Sequence, residues 1–426
     1  MTRRIEMART WQALVVSGAI ALTGCDSLLD VDLPGQVPEE TLEDPGLANT
    51  LVVGVIADFE CAYNNYTFGS SAHSDEYLPS SGNFVQRTWS TRLIPASDNW
   101  VTGTCEGNGF GLWTPIHTAR FQAEDVFARL QEFGAGAVED LDAKLATVSA
   151  YAGYAYTLLG EGFCEVVIDA GPIMEPSAAL AVAEERFGRA IQLAQQAGDQ
   201  DVESMALVGR ARVQLDLEDF QGAIADAEQV PDGYVKVAER DGPSPSLTRL
   251  WNKGFEAFAN IGHHTVNTTF RALEWKGTPD PRVQVEDAGR FGFDGVTPLW
   301  FTTKYPERTT DIPLATWEEA QLIIAEASAR SGDPARAVQI INALHTRAGL
   351  PPYDPAVDQT EGPTVDEVLN HVLQERSREL FQEGGHRLND MLRHGIPFLS
   401  GLDPTGQPYG ATTCYPLPPV EQQAAP

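Results

Sequence analysis

Residues 317–351 read WEEAQLIIAEASARSGDPARAVQIINALHTRAGLP, and they give the clearest indication of the fold class. Apolar and small residues recur at helical spacing on both sides of Gly332 and Asp333, a pair typical of a turn. Pro334 follows directly, and proline is favoured in the first turn of a helix. The stretch therefore predicts two helices, Trp317–Ser331 and Pro334–Arg347, folded back on each other.

An earlier pair of segments, Asp201–Leu215 and Asp219–Val230, has the same pattern. Its small residues, among them Ala206, Gly209 and Ala223, stand where one helix packs closely on another. The pattern resembles a tetratricopeptide hairpin, but no strict repeat of that length runs through the chain, which argues against a plain solenoid. Helical spacing also predicts Leu47–Phe59, Trp113–Phe133, Leu141–Leu159, Ala178–Ala197 and Val365–Glu383.

Two long segments lack a sustained period. Cys61–Gly111 is rich in Ser, Asn and Gly with interleaved aromatic residues, and Gly242–Pro313 is rich in Pro, Gly and aromatic residues with short β-like runs. Irregular segments of this length inside a compact protein are usually functional. The chain is thus predicted to be mostly α, with tetratricopeptide-like hairpins, two loop-rich excursions and minor β structure.

The charge of the chain is strongly negative. Its 426 residues include 60 acidic and 29 basic side chains, a formal net charge of −31. Such a surface repels phosphate backbones and anionic lipid headgroups. Nucleic-acid binding is therefore not expected.

The N-terminus has the features of an export signal. A basic leader precedes the apolar run Trp11–Thr23, which is too short to span a hydrocarbon core of about 30 Å. The run ends in Leu22-Thr23-Gly24-Cys25, which resembles a lipobox. Residues 1–24 are predicted to be a lipoprotein signal peptide and Cys25 the lipidated residue, with the lipid as the only membrane attachment.

The remaining four cysteines form an even set in an exported chain, which favours disulfides. Three pairings are possible, and buried free thiols are the alternative. We favour Cys61–Cys105, which would staple an irregular region, and Cys164–Cys414, which would tie the tail to the body. Their spacing shows no CxxC or Cys/His clustering, so no zinc site is predicted.

The C-terminal third carries a family resemblance. QERSRELF at 374–381, EGGHRLNDMLR at 383–393 and CYPLP at 414–418 follow the hairpin of 317–351 in order. Together these motifs resemble the SusD/RagB family of outer-membrane nutrient-uptake lipoproteins. The chain departs from the family pattern at Gly385-His386 before Arg387 and at Leu388 after it, and it lacks the usual Asn-Pro after Glu421, as in a distant branch.

The resemblance implies a SusD-like fold in which residues 25–250 and 251–426 form one compact unit. It also implies a non-catalytic binding protein that needs no cofactor. Such a protein docks on a TonB-dependent, SusC-like barrel in the outer membrane, faces the cell exterior, and delivers oligosaccharide or, in some members, peptide.

The aromatic-rich excursions suggest where a sugar would bind. The C–H faces of sugar rings stack on flat aromatic side chains, while Asn, Asp and Arg hydrogen-bond the hydroxyls. No family motif fixes the binding residues. From composition, the candidates are Trp89, Trp100, Asn99, Asp98, Tyr77 and Trp300.

The alternative function is a lipid-anchored glycoside hydrolase. Glu375 and Glu379 share a helix face, but carboxylates interleaved with Arg376 and Arg378 are more typical of a structural ion network than of an acid/base pair. The chain has no HExxH, GxSxG or P-loop motif. His263 and His264 are adjacent, so on a strand they point to opposite faces, and neither a metal site nor a catalytic residue is predicted.

Overall fold

The computed structural model describes residues 39–424 except Ala96, 106–110, 243–247 and Val365. The predicted signal peptide and Cys25 lie outside the described residues. The chain divides into an N-terminal unit that ends at Asp44 and a second unit, Pro45–Pro426. Of the first unit, the 3₁₀ turn Glu39–Glu43 is described. Everything below concerns the second unit.

Helices dominate the second unit, which confirms the mostly α fold class. In chain order they are α1 (Ala48–His73), α2 (Phe84–Thr91), α3 (Asn99–Thr102), α4 (Trp113–Phe133), α5 (Leu141–Gly162), α6 (Pro176–Ala197), α7 (Gln200–Asp216), α8 (Phe220–Ala227), α9 (Trp317–Arg330), α10 (Pro334–Ala348), α11 (Glu367–Glu379), α12 (His386–His394) and α13 (Pro419–Ala424). A π-helical segment, Gly254–Asn260, stands between α8 and α9.

The helices pack as successive hairpins. Helix α1 packs on α4 and α5, and α5 on α6; α6 then packs on α7, α7 on α8, α8 on α9, and α9 on α10 and α11. The predicted α9–α10 hairpin is present, and its ends are fixed locally. The Thr316 side chain accepts from the amide of Glu319, the Asp333 side chain accepts from the amide of Arg336, and Gly349 ends α10 in the left-handed conformation (φ 70°).

Helix α1 is longer than predicted. The expected helix ended at Phe59 and was followed by a loop region, whereas the helix continues to His73. Every residue from Phe59 to His73 is buried, including Tyr63, Tyr66 and Phe68. A helix enclosed on all sides shows no amphipathic stripe, so the pattern of its polar and aromatic residues does not indicate a helix.

By length and hydropathy alone, the segment Pro45–His73 could cross a membrane. Its C-terminal half is instead enclosed by protein, and side chains such as Asn64 and Asn65 bond backbone carbonyls of other segments (Asn64 Nδ2 to Trp251 O, 2.8 Å; Asn65 Nδ2 to Gly111 O, 2.9 Å). It is the central core helix of the fold.

Among the residues that the structure describes, the strands form four two-stranded antiparallel sheets. They are β1 (Tyr77–Pro79) with β3 (His264–Val266), β2 (Val235–Ala238) with β8 (Ile312–Thr316), β4 (Glu274–Trp275) with β5 (Thr278–Pro279), and β6 (Val285–Phe291) with β7 (Pro298–Thr302). The β1–β3 pair joins the two excursions that the sequence placed far apart.

The four cysteines are joined as Cys61–Cys105 and Cys164–Cys414, with Cα–Cα distances of 5.9 and 5.2 Å. These are the two pairs that the sequence favoured. The first bond ties α1 to the segment that follows α3. The second holds the chain after α5 against the C-terminal tail, where Tyr415 also pairs with Phe163.

The charged residues of the C-terminal motifs form a buried ion network, as the alternating charges suggested. Many of the ion pairs join residues that are far apart in the sequence. Arg376 contacts Asp390 at 2.9 Å and Arg393 contacts Glu326 at 2.8 Å, with all four side chains largely buried. Arg387 is not part of this network and instead forms a bidentate ion pair with Asp75. Arg–carboxylate forks of this kind fix the helix packing in one geometry.

Candidate functional site

Three of the predicted ligand-binding aromatics belong to the core. Trp89 is 3 % exposed and packs on Gly69, where a Cβ would lie 2.5 Å from the indole. Trp100 is 3 % exposed and donates its indole N–H to the carbonyl of Pro95 at 2.8 Å. Tyr77 is buried edge-on against Phe258, with ring centroids 4.6 Å apart. No sugar ring can stack on these three side chains in this structure, so their assignment as stacking platforms is corrected.

Asp98 and Asn99 form the start of the short helix α3. The Asp98 carboxylate accepts from the amide of Asn99 at 2.7 Å, and the carbonyl of Asn99 accepts from the amide of Gly103. Both side chains are half-buried. Asp98 therefore serves as the helix cap. These contacts explain the presence of Asp98 and Asn99 at this position, and no bound ligand is needed to explain it.

Trp300 is the one predicted aromatic that keeps accessible surface. It is half-buried on β7, its amide donates to Thr265 Oγ1 at 2.8 Å, and the Arg271 guanidinium lies 4.9 Å from its ring centroid. Asp287 of β6 stands opposite it in the strand register and is exposed. An indole with a guanidinium and a carboxylate beside it can stack on a ligand ring and hydrogen-bond its hydroxyls.

Further aromatic residues near this hairpin are exposed, and composition alone had not singled them out. Phe84 is 64 % exposed at the start of α2, Phe291 is 55 % exposed at the end of β6, and Phe293 is 57 % exposed in the β6–β7 turn, beside the exposed Val296. We refer to Phe84, Phe291, Phe293, Val296 and Trp300 as the aromatic surface. Exposed apolar patches of this kind mark sites of interaction.

The aromatic surface is assembled where the two excursions meet. The amide of Phe293 donates to Gly262 O at 2.8 Å, and the amide of Asp294 donates to Ser80 O at 3.0 Å. A Cβ at Gly292 would lie 2.5 Å from the Cβ of Ser80, so only glycine permits this approach. Because Ser80 shortly precedes α2, these bonds bring the segment that leads to Phe84 against the turn that carries Phe293.

Buried polar contacts hold this junction in place. Ser81 Oγ and His263 Nδ1 are 3.0 Å apart, and the His263 ring packs on Phe293 at 4.8 Å. Asp294 accepts from the amides of Val296 and Thr297 and from the Thr297 hydroxyl. Burial acts to raise the pKa of Asp294, but these hydrogen bonds outweigh it and lower the pKa, so the carboxylate stays charged and the turn stays closed.

Described residues also border cavities away from the aromatic surface. One of about 350 Å³ is bordered by Asp58, Thr114 and Arg249 beside the Cys61–Cys105 bond. Another of about 310 Å³ is bordered by Phe270, Gln374 and the Asp75–Arg387 pair. Asp58 and Arg249 also pair with each other, at 3.0 Å. In both cavities these charged groups neutralise one another, and neither offers an array of exposed rings.

The two carboxylates weighed as an acid/base pair are structural. Arg282 contacts Glu375 at 2.5 Å and Glu379 at 3.3 Å. Burial acts to raise the pKa of Glu375, but the contacts with His345 and Arg282 outweigh burial and lower the pKa to about 2. A carboxyl group with so low a pKa is a poor general acid at neutral pH.

The same region contains a group that could hold a metal ion. His345, His371 and Glu375 place one potential ligand atom each within 4.8 Å of one another, and all three are buried. Burial lowers the pKa of His371 to about 4, which leaves its imidazole neutral at neutral pH. The sequence did not predict this group because His345 lies on a different helix, α10. His371 and Glu375 are four residues apart on α11, a spacing that places them on one helix face.

Comparisons with known proteins agree with the resemblance seen in the sequence. Residues 317–414 match the sequence model of the SusD family. No curated protein matches the chain. Among solved structures, a SusD-like carbohydrate-binding protein from Bacteroides vulgatus superposes with a TM-score of 0.69 at 15 % identity, covering 89 % of this chain and 96 % of the other.

Two further structures are similar over almost their whole length. A SusD homologue from Bacteroides thetaiotaomicron gives a TM-score of 0.68 at 17 % identity, with 91 % of this chain and 98 % of the other covered. Surface glycan-binding protein A from the same organism, in complex with laminarihexaose, gives 0.65 at 16 %, with 89 % and 97 % covered. Residues 317–414 thus match the SusD family, and the chain shares the fold of SusD-like proteins.

Proposed function

We propose that this protein is a lipid-anchored surface receptor that captures oligosaccharides and delivers them to a SusC-like, TonB-dependent barrel in the outer membrane. The observation that carries the binding step is the aromatic surface. Phe84, Phe291, Phe293 and Trp300 expose ring area on a junction that backbone hydrogen bonds hold closed.

The chemistry of this surface suits a neutral glycan. The axial C–H groups of a sugar ring pack against aromatic faces, which removes apolar surface from water. Arg271 and Asp287 beside Trp300 supply a donor and an acceptor for hydroxyl groups. The net charge of −31 disfavours a strongly anionic glycan.

Structural neighbours support the same ligand class. One is a SusD-like carbohydrate-binding protein, another a laminarin-binding SusD-like protein, and a third was solved with laminarihexaose. We extend glycan binding from these proteins to this chain as a proposal, with short β-glucans as the first probes.

Peptide binding is the second candidate, because Phe84, Phe291, Phe293 and Val296 carry no hydrogen-bonding group. An apolar patch of this kind would also accept hydrophobic peptide side chains. Glycan and peptide libraries therefore belong in the same screen.

Attachment and delivery complete the proposal. Lipidation of Cys25 would anchor the mature chain, residues 25–250 together with 251–426, on the outer face of the outer membrane. A barrel partner would receive the ligand from this chain. A lipid-anchored hydrolase is disfavoured because the carboxylates considered as its acid/base pair, Glu375 and Glu379, are held in ion pairs with Arg282.

The test is a binding screen with a matched control. Affinity electrophoresis in gels that contain soluble glycans should retard the wild type, and Phe293→Ala combined with Trp300→Ala should abolish most of the retardation. Phe121→Ala is the control, because Phe121 is equally exposed (53 %) but lies on α4, outside the aromatic surface.

Equal loss in the control, or undiminished binding in the double variant, would contradict the proposal. Release of reducing ends from a bound polysaccharide would favour the hydrolase. Recovery of a large barrel protein in comparable amount from solubilised envelopes would support delivery, and its absence would count against it.

A further inference from the structure

The cluster of His345, His371 and Glu375 lies between two helices of the C-terminal region. His345 is in the last turn of α10, while His371 and Glu375 are one turn apart on α11. All three side chains are at most 1 % exposed. Aromatic rings enclose the group: Tyr353 stacks on His371 at 3.7 Å and Trp275 lies 4.8 Å from the same ring.

The outer nitrogen of each histidine is held by the protein. His345 Nδ1 is 2.8 Å from the carbonyl oxygen of Pro351, which can only accept, so Nδ1 carries a proton and donates. His371 Nδ1 is 3.0 Å from the Thr360 hydroxyl. An imidazole fixed in this way presents the lone pair of Nε2 inward, which is how metal-binding histidines are usually oriented.

The three potential ligand atoms face one another. His345 Nε2 is 3.0 Å and His371 Nε2 3.7 Å from Glu375 Oε1. At 3.0 Å, His345 Nε2 and Glu375 Oε1 can share a proton, whereas His371 Nε2 has no hydrogen-bond partner within the part of the chain that the structure describes. One cation in place of that proton would bind all three atoms at once and satisfy His371 Nε2 as well.

The spacing fits a single transition-metal ion. Metal–nitrogen and metal–oxygen bonds of about 2.0–2.2 Å place neighbouring ligand atoms about 3–4 Å apart. Two imidazoles and one carboxylate are a donor set for Zn²⁺ and similar divalent ions, whereas Mg²⁺ and Ca²⁺ prefer oxygen alone. The second oxygen of Glu375 contacts Arg282 at 2.5 Å, which holds the carboxylate plane toward the histidines.

The local charge also permits a cation. Arg282 and Arg378 are the nearest positive groups, and Asp280, Glu375 and Glu379 oppose them. Lys276 and Asp358, which are farther from the cluster, neutralise each other. The two arginines and the three carboxylates together carry one net negative charge, so the positive charge of Arg282 does not exclude a divalent ion.

We propose that His345, His371 and Glu375 bind one divalent transition-metal ion of the Zn²⁺ class, which clamps α10 to α11 as a structural site. Water would complete the coordination. This site is independent of glycan binding, because its residues are buried and separate from the aromatic surface.

The experiment uses Co²⁺ as the probe. The purified full chain is stripped with chelator and titrated with Co²⁺ in 0.3 M salt and excess Mg²⁺, which suppress weak binding to exposed acids. We expect one Co²⁺ per chain with visible absorption from nitrogen and oxygen ligands. Affinity should fall on the order of 100-fold in His345→Gln and in His371→Gln.

His117→Gln is the matched control. His117 also has an Nε2 without a hydrogen-bond partner and packs on an aromatic ring, Trp113 at 4.2 Å, but it lies on α4. This variant should bind Co²⁺ like the wild type. Saturating Zn²⁺ should raise the melting temperature of the wild type and of the control, but not of the two cluster variants.

Absence of saturable binding to the wild type would overturn the proposal and leave a proton shared between His345 and Glu375 as the occupant. Equal binding by all variants would overturn it too. If the cluster variants fail to fold, anomalous diffraction from a Co²⁺-soaked wild-type crystal decides: a peak between the three side chains supports the site, and a peak elsewhere or none refutes it.

Discussion

Helix α2 offers a direct comparison between a core aromatic and a surface aromatic. Trp89 is 3 % exposed and Phe84 is 64 % exposed, five residues apart on the same short helix. Truncation of each to alanine has a similar effect on helix propensity, so the difference between the two variants isolates burial.

The magnitudes follow from the packing. A buried indole removes about 200 Å² from water, worth about 5 kcal/mol as an upper value at 25 cal/mol per Å². The cavity cannot close readily because the neighbour, Gly69, is backbone inside the buried helix α1. We expect Trp89→Ala to lower the free energy of unfolding by about 3–5 kcal/mol. Phe84→Ala should change it by no more than about 0.5 kcal/mol.

Urea unfolding followed by far-ultraviolet circular dichroism measures both values without relying on indole fluorescence. Ligand binding by the folded fraction is measured in parallel. Trp89→Ala should retain affinity once folded, whereas Phe84→Ala should lose about 1 kcal/mol of binding free energy. A small stability change in Trp89→Ala, together with a loss of binding, would refute the placement of this ring in the core and restore it as a sugar platform.

Three further predictions concern pH, disulfides and lipidation. Burial raises the pKa of Glu76 from 4.5 to about 7, so wild-type stability falls as the pH rises from about 4.5 to about 7, where the folded state holds this proton and the unfolded state has lost it. Glu76→Gln should match the wild type near pH 4 and exceed it at pH 8 by up to about 3 kcal/mol in urea unfolding; equal curves would contradict this. Thiol counting on the denatured, non-reduced protein should find no free thiol among Cys61, Cys105, Cys164 and Cys414, and Cys164→Ser with Cys414→Ser should cost about 2–5 kcal/mol of stability. Cys25→Ser should abolish labelling by a tagged fatty acid, and unchanged labelling would disprove lipidation at this residue.

Local signals in the sequence were sufficient for the helical hairpins. The α9–α10 hairpin was predicted to within a residue at each end because Thr316, Asp333 and Gly349 act on their own helix ends. Such caps depend on neighbours three or four residues away, which a sequence pattern contains.

Long-range packing decided the features that the sequence did not predict. Composition does not distinguish Trp89 from Phe84, since Trp89 is enclosed by distant segments that include Gly69 and Tyr415, whereas Phe84 is left in solvent. Phe291 and Phe293 flank Gly292, and nothing in the local sequence indicates that Gly292 packs against Ser80. His345 meets Glu375 only after α10 packs on α11, although the spacing of His371 and Glu375 was a usable local signal.

Binding of the ligand at the aromatic surface can be observed directly in a crystal structure of the protein soaked with the oligosaccharide that the screen ranks highest. We expect sugar density stacked on Phe293 and Trp300, with hydroxyl groups within hydrogen-bond distance of Arg271 or Asp287. Density confined to the cavity beside Asp75 and Arg387, with the aromatic surface bare, would contradict this expectation.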